Sequence, residues 1–435
     1  MASWPYPELQ AQCALRPNWP AFVRAPNLKG AWKLFACASC STVPPAAANM
    51  TSHGVARTAI RPRTDEQLEQ DLLKISKYRN LEDGFRQRVN DCLFDHGTFQ
   101  LTSQLLRLNP EYYTVWNVRR RCMNSSILSA SASSSVSSDL STSVSAPADA
   151  YPSRTETPAG APEGLASSDG EAIRAELSFT VPLLIQFPKC YWIWKYRLWV
   201  LSQATDRLPV GAARAIWEDE LGLIAKMLRK DRRNFHAWGY RRHVVTQLES
   251  PTLQGRSMVE PEFEYTTTMI SEDLSNFSAW HSRSQLIPRL LKERQASDDA
   301  RRAFLETELR NVNEGLNVGP EDQSLWYYHE FLVSNVAETR DAGTIAPNLS
   351  LDDRRSHLVA EIDNIRELLE DYADMKRIYD ALIDYTVALG RMDDRKLHDD
   401  EKADVAEWLE KLRLLDPKRK GRWNDLAQEL GLCDG

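Results

Sequence analysis

The sequence predicts an all-α protein in which pairs of helices stack in series as a solenoid. A phrase of about ten residues centred on tryptophan recurs five times between residues 105 and 335. From the second copy onward the tryptophans lie 44, 42 and 46 residues apart, a period typical of repeats that contain two helices each. An apolar residue follows every tryptophan by seven positions, so each phrase leads into an amphipathic helix. Each helix pair is expected to bury its apolar face on the next pair.

Three positions of the phrase are nearly constant when the copies are aligned on the tryptophan. The tryptophans are Trp116, Trp194, Trp238, Trp280 and Trp326. The aromatic residues three positions earlier are Tyr113, Tyr191, Phe235 and Phe277. The arginines three positions later are Arg119, Arg197, Arg241 and Arg283, with His329 in the fifth copy. We predict that the tryptophan, the arginine and the apolar residue seven positions after the tryptophan share one helix face, with tryptophan filling the core and arginine bridging adjacent turns.

Composition divides the chain into five segments. Residues 1–49 are rich in Ala, Pro and Cys and lack a helical period, which indicates a disordered or misassigned extension. Residues 50–123 hold the N-terminal helices, with Thr64 as a candidate N-cap, and the first repeat. The Ser-, Ala- and Pro-rich segment 124–170 is predicted to be a disordered insertion, which explains the spacing of 78 residues between Trp116 and Trp194. Residues 171–335 contain the remaining repeats, and 336–435 are predicted to be capping helices.

Charge and cysteine content exclude several classes of function. A net charge of −7 gives no general attraction for nucleic acid, and no apolar run reaches the ~18 residues of a membrane span. Seven dispersed cysteines indicate reduced thiols and a cytoplasmic protein. The single pair Cys37 and Cys40 supplies only two of the four ligands of a structural zinc site. The eight histidines form no ligand motif, so we expect no metal bound by this chain.

The five phrases resemble the repeats of protein prenyltransferase α subunits, which follow the pattern Pro-x-x-Tyr-x-x-Trp-x-x-Arg. Residues 276–288 and 322–329 are most similar to the α subunits of Rab geranylgeranyltransferase, type II. The resemblance implies a right-handed α-α superhelix, crescent shaped, that forms a heterodimer with a prenyltransferase β subunit. It also implies that zinc lies in the β subunit, with no cofactor in this chain. The expected activity is transfer of a geranylgeranyl group from geranylgeranyl diphosphate to C-terminal cysteines of Rab proteins presented by an escort protein.

The resemblance also implies the site residues. Lys189 and Tyr191 match the Lys and Tyr that reach the diphosphate in the family, and only this copy has Lys after Pro. Asn234 and His236 match a neighbouring diphosphate-binding turn, although Phe235 stands where Tyr is frequent. Cations and hydroxyl donors suit this chemistry because negative charge grows on the departing diphosphate.

Each of these residues also has a simpler interpretation. Without the resemblance, Lys189 would be interpreted as an ordinary exposed loop lysine, and Tyr191 is equally consistent with a core aromatic residue. His53 matches an early histidine of the family that approaches the β-subunit zinc, and a disordered tail is the alternative.

Two other functions stay open at this point. The chain is also consistent with the α subunit shared by farnesyltransferase and geranylgeranyltransferase type I, although the phrase around Trp280 favours the Rab-specific branch. A helical-repeat adaptor without a catalytic role is the alternative from another class. Formation of an obligate pair with a β chain would exclude the adaptor.

Overall fold

The structure is a computed structural model that describes residues 64–129, 163–338 and 344–432, with side chains from Ser168 onward in the second range. The predictions for residues 1–49, His53, Cys37, Cys40 and most of 124–170 lie outside these residues. The described residues contain fifteen α-helices and no strand, which confirms the predicted all-α class. None of these helices is both long enough and apolar enough to cross a membrane.

The chain divides into two compact units, one covering Ile60–Glu260 and the other including Pro261–Gly435. Up to this boundary the helices are α1 (Asp65–Asn90), α2 (His96–Leu108), α3 (Tyr113–Cys122), α4 (Glu163–Gln186), α5 (Tyr191–Arg207), α6 (Val210–Lys230) and α7 (Phe235–Leu248). The helix that contains the boundary is α8 (Val259–Glu272), and those that follow are α9 (Phe277–Glu293), α10 (Asp298–Val318), α11 (Gln323–Ala337), α12 (Leu351–Asp371), α13 (Lys376–Met392), α14 (Asp399–Leu415) and α15 (Lys420–Glu429).

The helices after α1 form seven successive hairpins, two more than the five copies of the phrase. In the first five hairpins, the second helix begins three residues before the tryptophan of the phrase. The same register continues in α13, where Tyr379 takes the place of tryptophan, and in α15, where Trp423 does. The segment 336–435, predicted only as capping helices, therefore continues the hairpin pattern.

Each tryptophan closes the turn that precedes its own helix. The Trp116 indole Nε1 donates a hydrogen bond of 2.8 Å to the carbonyl oxygen of Pro110, six residues earlier. The other four tryptophans make the same bond at 2.7–2.9 Å. The Tyr379 hydroxyl reproduces it at 2.7 Å from the Ala373 carbonyl oxygen. The ring fills the core while its one polar atom satisfies a turn carbonyl, which explains why tryptophan recurs at this position.

The arginine of the phrase ties one hairpin to the next. Both nitrogens of the Arg119 fork donate to the Glu176 carboxylate on α4 at 2.6 and 2.7 Å. The Tyr196 hydroxyl of the next hairpin donates to the same carboxylate at 2.6 Å. Burial, followed by the charge of Glu176, raises the pKa of Tyr196 well above its ordinary value, so this donor keeps its proton. The arrangement recurs with Arg197, Glu220 and Tyr240, and with Arg283, Glu308 and Tyr328.

The fifth copy replaces the arginine fork with an imidazole. His329 is fully buried, with Nε2 2.8 Å from the Glu361 carboxylate and Nδ1 2.8 Å from the Tyr385 hydroxyl. In each of these links the glutamate lies eighteen residues before the tryptophan of its own hairpin, and Glu361 lies eighteen residues before Tyr379. That spacing is the sequence signal that would have revealed the link.

The structure decides one open alternative and corrects one boundary. The aromatic residues three positions before the tryptophan are exposed, so the interpretation of Tyr191 as a core residue is wrong. At 100° per residue they lie about 120° around the helix from the arginine, so they cannot share its face. The predicted insertion 124–170 is also too wide, because residues 123–127 form a π-helix and α4 begins at Glu163. Asp169 accepts hydrogen bonds from the Ser129 backbone N–H at 2.8 Å and hydroxyl at 2.7 Å.

Candidate functional site at the edge of the helical turns

The N-terminal unit exposes a row of aromatic side chains where its hairpin turns enter their second helices. Tyr113, Tyr191 and Phe235 are the first residues of α3, α5 and α7, and they are 54%, 49% and 69% exposed. Trp192 lies between two of them, and the centroid of its ring is 5.4 Å from that of Tyr113 and 5.3 Å from that of Tyr191. We call these four residues the aromatic rim.

Lys189 lies in the turn between α4 and α5, two residues before Tyr191. Its side chain is 74% exposed, and its only described ionic neighbour is Asp231, with Nζ 3.8 Å from Oδ2. An exposed ion pair at this distance contributes little free energy. The ammonium group can therefore leave Asp231 for a stronger anion at almost no cost.

Tyr191 and His236 border this lysine. Their ring centroids are 6.4 Å apart, and the centroid of the His236 ring lies 4.0 Å from that of Phe235. Partial burial and the nearby Lys189 charge lower the pKa of His236, while Glu111 in the preceding turn acts in the opposite direction. The imidazole is therefore neutral near pH 7 and presents one N–H donor. The arrangement combines an exposed, weakly paired cation, a phenol and a neutral imidazole, all capable of donating hydrogen bonds to an anion.

Asn234 has a structural position rather than an exposed one. Its side chain is buried, and its Oδ1 accepts hydrogen bonds from the backbone N–H groups of His236 and Ala237 at the start of α7. Its Nδ2 donates to the Pro188 carbonyl oxygen in the preceding turn at 3.0 Å. The residue thus fixes the turn carrying Lys189 against the turn carrying His236. Direct contact of Asn234 with a diphosphate stays a prediction, and its burial and bonding favour a positioning role.

The structure adds two acidic residues that the sequence analysis did not select. Asp231 contacts Lys189, and Glu111 is close enough to influence the pKa of His236. Neither residue stands out in the sequence, because each lies in a different turn from the group it affects. Within the described ranges, no three His, Cys, Asp or Glu side chains are grouped as metal ligands.

The family profile described as "Protein prenyltransferase alpha subunit repeat" matches residues 96–126, 173–204, 217–248 and 259–290. These segments fall on the first four hairpins. The three further hairpins follow the last matched segment.

The chain is similar to proteins named geranylgeranyl transferase type-2 subunit alpha. It is 29% identical over 274 residues to the Saccharomyces cerevisiae protein, covering 62% of this chain and 69% of the relative. For the Schizosaccharomyces pombe protein the identity is 27% over 386 residues, covering 87% and 98%. For the Homo sapiens protein it is 32% over 285 residues, covering 64% of this chain and 41% of the relative. The matched region thus spans less than half of the human protein.

A solved structure shares the fold at low sequence identity. It is described as Candida albicans protein geranylgeranyltransferase-I complexed with GGPP. The TM-score is 0.51 at 16% identity, covering 82% of this chain and 91% of that chain. This likeness supports the predicted α-α superhelix of helical hairpins. Together with the matched repeats and the named relatives, it leads to one conclusion: this chain belongs to the protein prenyltransferase α subunit family.

Proposed function

We propose that this chain is the α subunit of a Rab geranylgeranyltransferase and acts with a prenyltransferase β subunit. The observation that carries the proposal is the group formed by Lys189, Tyr191 and His236 at an exposed aromatic edge. The names of its relatives in yeasts and mammals support the type II branch. The substrates are geranylgeranyl diphosphate and Rab proteins presented by an escort protein.

The proposed role of this chain in the reaction is to stabilise the leaving group. As the bond between carbon and the bridging oxygen breaks, negative charge accumulates on the diphosphate. Lys189 would supply a charge-assisted hydrogen bond, and Tyr191 and neutral His236 would supply further donors. None of these groups needs to gain or lose a proton for the transfer. The zinc that activates the acceptor thiol is proposed to belong to the β subunit.

The aromatic rim is proposed as part of the surface that the β subunit covers. Large exposed apolar patches bordered by polar residues commonly mark protein interfaces. The rim places aromatic rings on both sides of Lys189, so a β subunit docked there would enclose the lysine and exclude water. A cation in such an enclosed site interacts more strongly with a diphosphate than it would in open solvent.

The test is co-expression with the cognate β chain followed by a transfer assay. The expected result is a stable pair that modifies a Rab protein only when escort protein is present. Transfer to a short C-terminal CaaX peptide without escort protein would indicate the shared α subunit of the other two enzymes. A lone chain that never retains a β chain would support the adaptor instead.

A further inference from the structure

We propose that the N-terminal half of α1 is an arm that clasps the β subunit beside the aromatic rim. The inference rests on the proposed function, because it requires a β partner, and it adds a second contact surface to that partner. The arm consists of residues 65–77 and precedes every segment matched by the family repeats.

The arm extends beyond the hairpin on which α1 packs. α1 has 26 residues, whereas its neighbour α2 has 13. The C-terminal half of α1 lies against the turn before α3: the Tyr78 hydroxyl accepts from the Asn109 side chain at 3.5 Å, and Glu82 accepts from the Tyr112 hydroxyl at 3.1 Å. Phe85, one turn further on, is the only buried residue of the helix. The thirteen residues before Tyr78 therefore continue about 20 Å past this turn.

The overhang is on the side of the hairpins that carries the aromatic rim. Asn109 and Tyr112 belong to the turn that leads directly into Tyr113, the first residue of the rim. At the opposite end of the pair, Arg88 of α1 contacts Asp95 before α2, with 2.6 Å between Nη2 and Oδ1. The direction of α1 is therefore fixed, and its N-terminal half passes the edge where we place the β subunit.

The arm presents an apolar stripe that no described residue covers. Leu68, Leu72 and Ile75 lie at positions i, i+4 and i+7 and are 48%, 56% and 47% exposed, and such spacing places them on one helix face. Leu73 beside them is also 56% exposed. Of residues 65–77, only Asp71 is not classed as exposed. Other exposed aliphatic side chains of the described chain, such as Val318, Val359 and Leu414, are widely separated in sequence.

The start of the arm is specified by a complete capping box. The Thr64 hydroxyl accepts from the Gln67 backbone N–H, and the Gln67 side chain accepts from the Thr64 N–H, both at 3.3 Å. A helical segment of this length is only marginally stable in water without tertiary contacts. A capped helix with an apolar stripe that packs on nothing within the described chain is best explained by a partner surface.

The charged residues along the arm indicate which side chains the facing partner surface carries. The first two turns carry the exposed acidic residues Asp65, Glu66 and Glu69, whereas Lys74 and Lys77 follow. The surface it fits is an apolar groove of the β subunit with basic side chains facing the first turns. Continuity with the aromatic rim is the reason for assigning the groove to the β subunit.

The first experiment is competition for a limiting, affinity-tagged β chain in cells that express two forms of this chain. The variant replaces Leu68, Leu72 and Ile75 with glutamine, which the exposed positions tolerate in the folded chain. The matched control replaces Val318, Val359 and Leu414 with glutamine. Relative to wild type, capture of the arm variant should fall by about tenfold or more, and capture of the control should stay within about twofold. Equal capture of the arm variant and wild type would overturn the inference, while leaving the proposed function in place. Capture of no form at all would overturn the proposed function itself.

The second experiment identifies the occupant directly. A photo-crosslinking residue is placed at position 72 in the co-expressed pair, and the same residue at position 414 serves as the control. A crosslink from position 72 to the β chain is the expected result. A crosslink to residues 1–63 of this same chain, or to a second copy of it, would show another occupant and overturn the inference.

Discussion

The repeated phrase has two sides. Its core side consists of the buried tryptophan and arginine, and its rim side consists of the exposed aromatic position and the turn residues before it. The two sides differ in how strictly their residues recur. On the core side, the tryptophan and its carbonyl bond are kept in all five copies, and the arginine is kept in four. On the rim side, the aromatic position is Tyr in two copies, Phe in two and Gln323 in the fifth, and only the second copy has a lysine, Lys189, after proline. The tryptophan meets an equivalent carbonyl in all five copies, and the arginine meets an equivalent Glu and Tyr in three of them, whereas each rim position faces different surroundings. Recurrence therefore marks what builds the stack, and departure from it marks the candidate site.

Breaking the core side should have the largest effect. Arg197→Ala leaves the buried Glu220 carboxylate without its fork and should lower the free energy of unfolding by about 3–5 kcal/mol. The measurement is urea or thermal unfolding. The matched control is Arg174→Ala, which removes an exposed pair with Asp219 and should cost less than about 1 kcal/mol. Similar losses in the two variants would contradict the structural role of the link.

Lys189→Ala tests the rim side and should reduce transfer without reducing stability. Loss of a charge-assisted contact to the leaving group should raise the barrier by about 2–3 kcal/mol. Single-turnover transfer is the measurement, with Rab binding and the melting temperature measured in parallel. Lys226→Ala on α6 is the control, since that lysine is exposed and lies within the helix rather than in a turn. Unchanged turnover in the Lys189 variant would remove this residue from the mechanism.

Tyr191→Phe tests one hydroxyl within the rim. The ring is retained, so assembly should be unaffected, while loss of the donor should slow transfer by roughly tenfold. Tyr113→Phe changes the same phrase position in the preceding hairpin and should leave the rate unchanged. If both variants retain full activity, the tyrosine contributes only its ring.

Substitution of Asp384 should change stability less than the core variant does. This buried carboxyl group destabilises the folded state at high pH instead of stabilising it. Burial, followed by Asp380 and Glu330, raises the pKa of the Asp384 carboxyl to about 8, and Arg422 and Arg391 offset this only in part. The folded state thus favours the protonated acid, and its stability falls as pH rises from the ordinary pKa towards about 8. Asp384→Asn should add roughly 1–2 kcal/mol to the unfolding free energy at pH 8, with a smaller gain at pH 5.5.

The control for this pH dependence is Asp363→Asn on α12, an exposed carboxylate. Its melting temperature should follow that of the wild type at both pH values. A gain for Asp384→Asn that is equal at pH 8 and pH 5.5 would show that removal of charge is not the cause.

The smallest effect should come from deleting residues 131–160, which lie between the anchored ends of the predicted insertion. Longer loops cost only slowly increasing entropy, so unfolding and pairing with a β chain should change little. Asp169→Ala is the contrast, because it removes the acceptor of the Ser129 N–H and hydroxyl and should cost about 1–3 kcal/mol. A deletion that prevents pairing would show that the segment is structural.

Much of the fold is legible in the sequence because the repeat is periodic. Trp116 and its counterparts fix the hairpin register, and Thr64 is predicted and observed as an N-cap. The sixth hairpin is harder to recognise in the sequence, since the Tyr379 hydroxyl replaces the indole N–H as the donor to the turn carbonyl. The bridging carboxylates of Glu176 and Glu361 escape notice because their partners lie in other helices.

The sequence alone determined the all-α class and the helix-pair period, because local spacing specifies them. It also pointed to Lys189, through the family resemblance and because only this copy of the phrase has lysine after proline. Tertiary structure decided which aromatic residues are exposed, since that depends on the angle of each side chain around its helix and on what packs nearby. It also decided that Asn234 is a buried N-cap and that α1 extends beyond the end of α2. Burial is a property of the assembled helices, and no short stretch of sequence contains it.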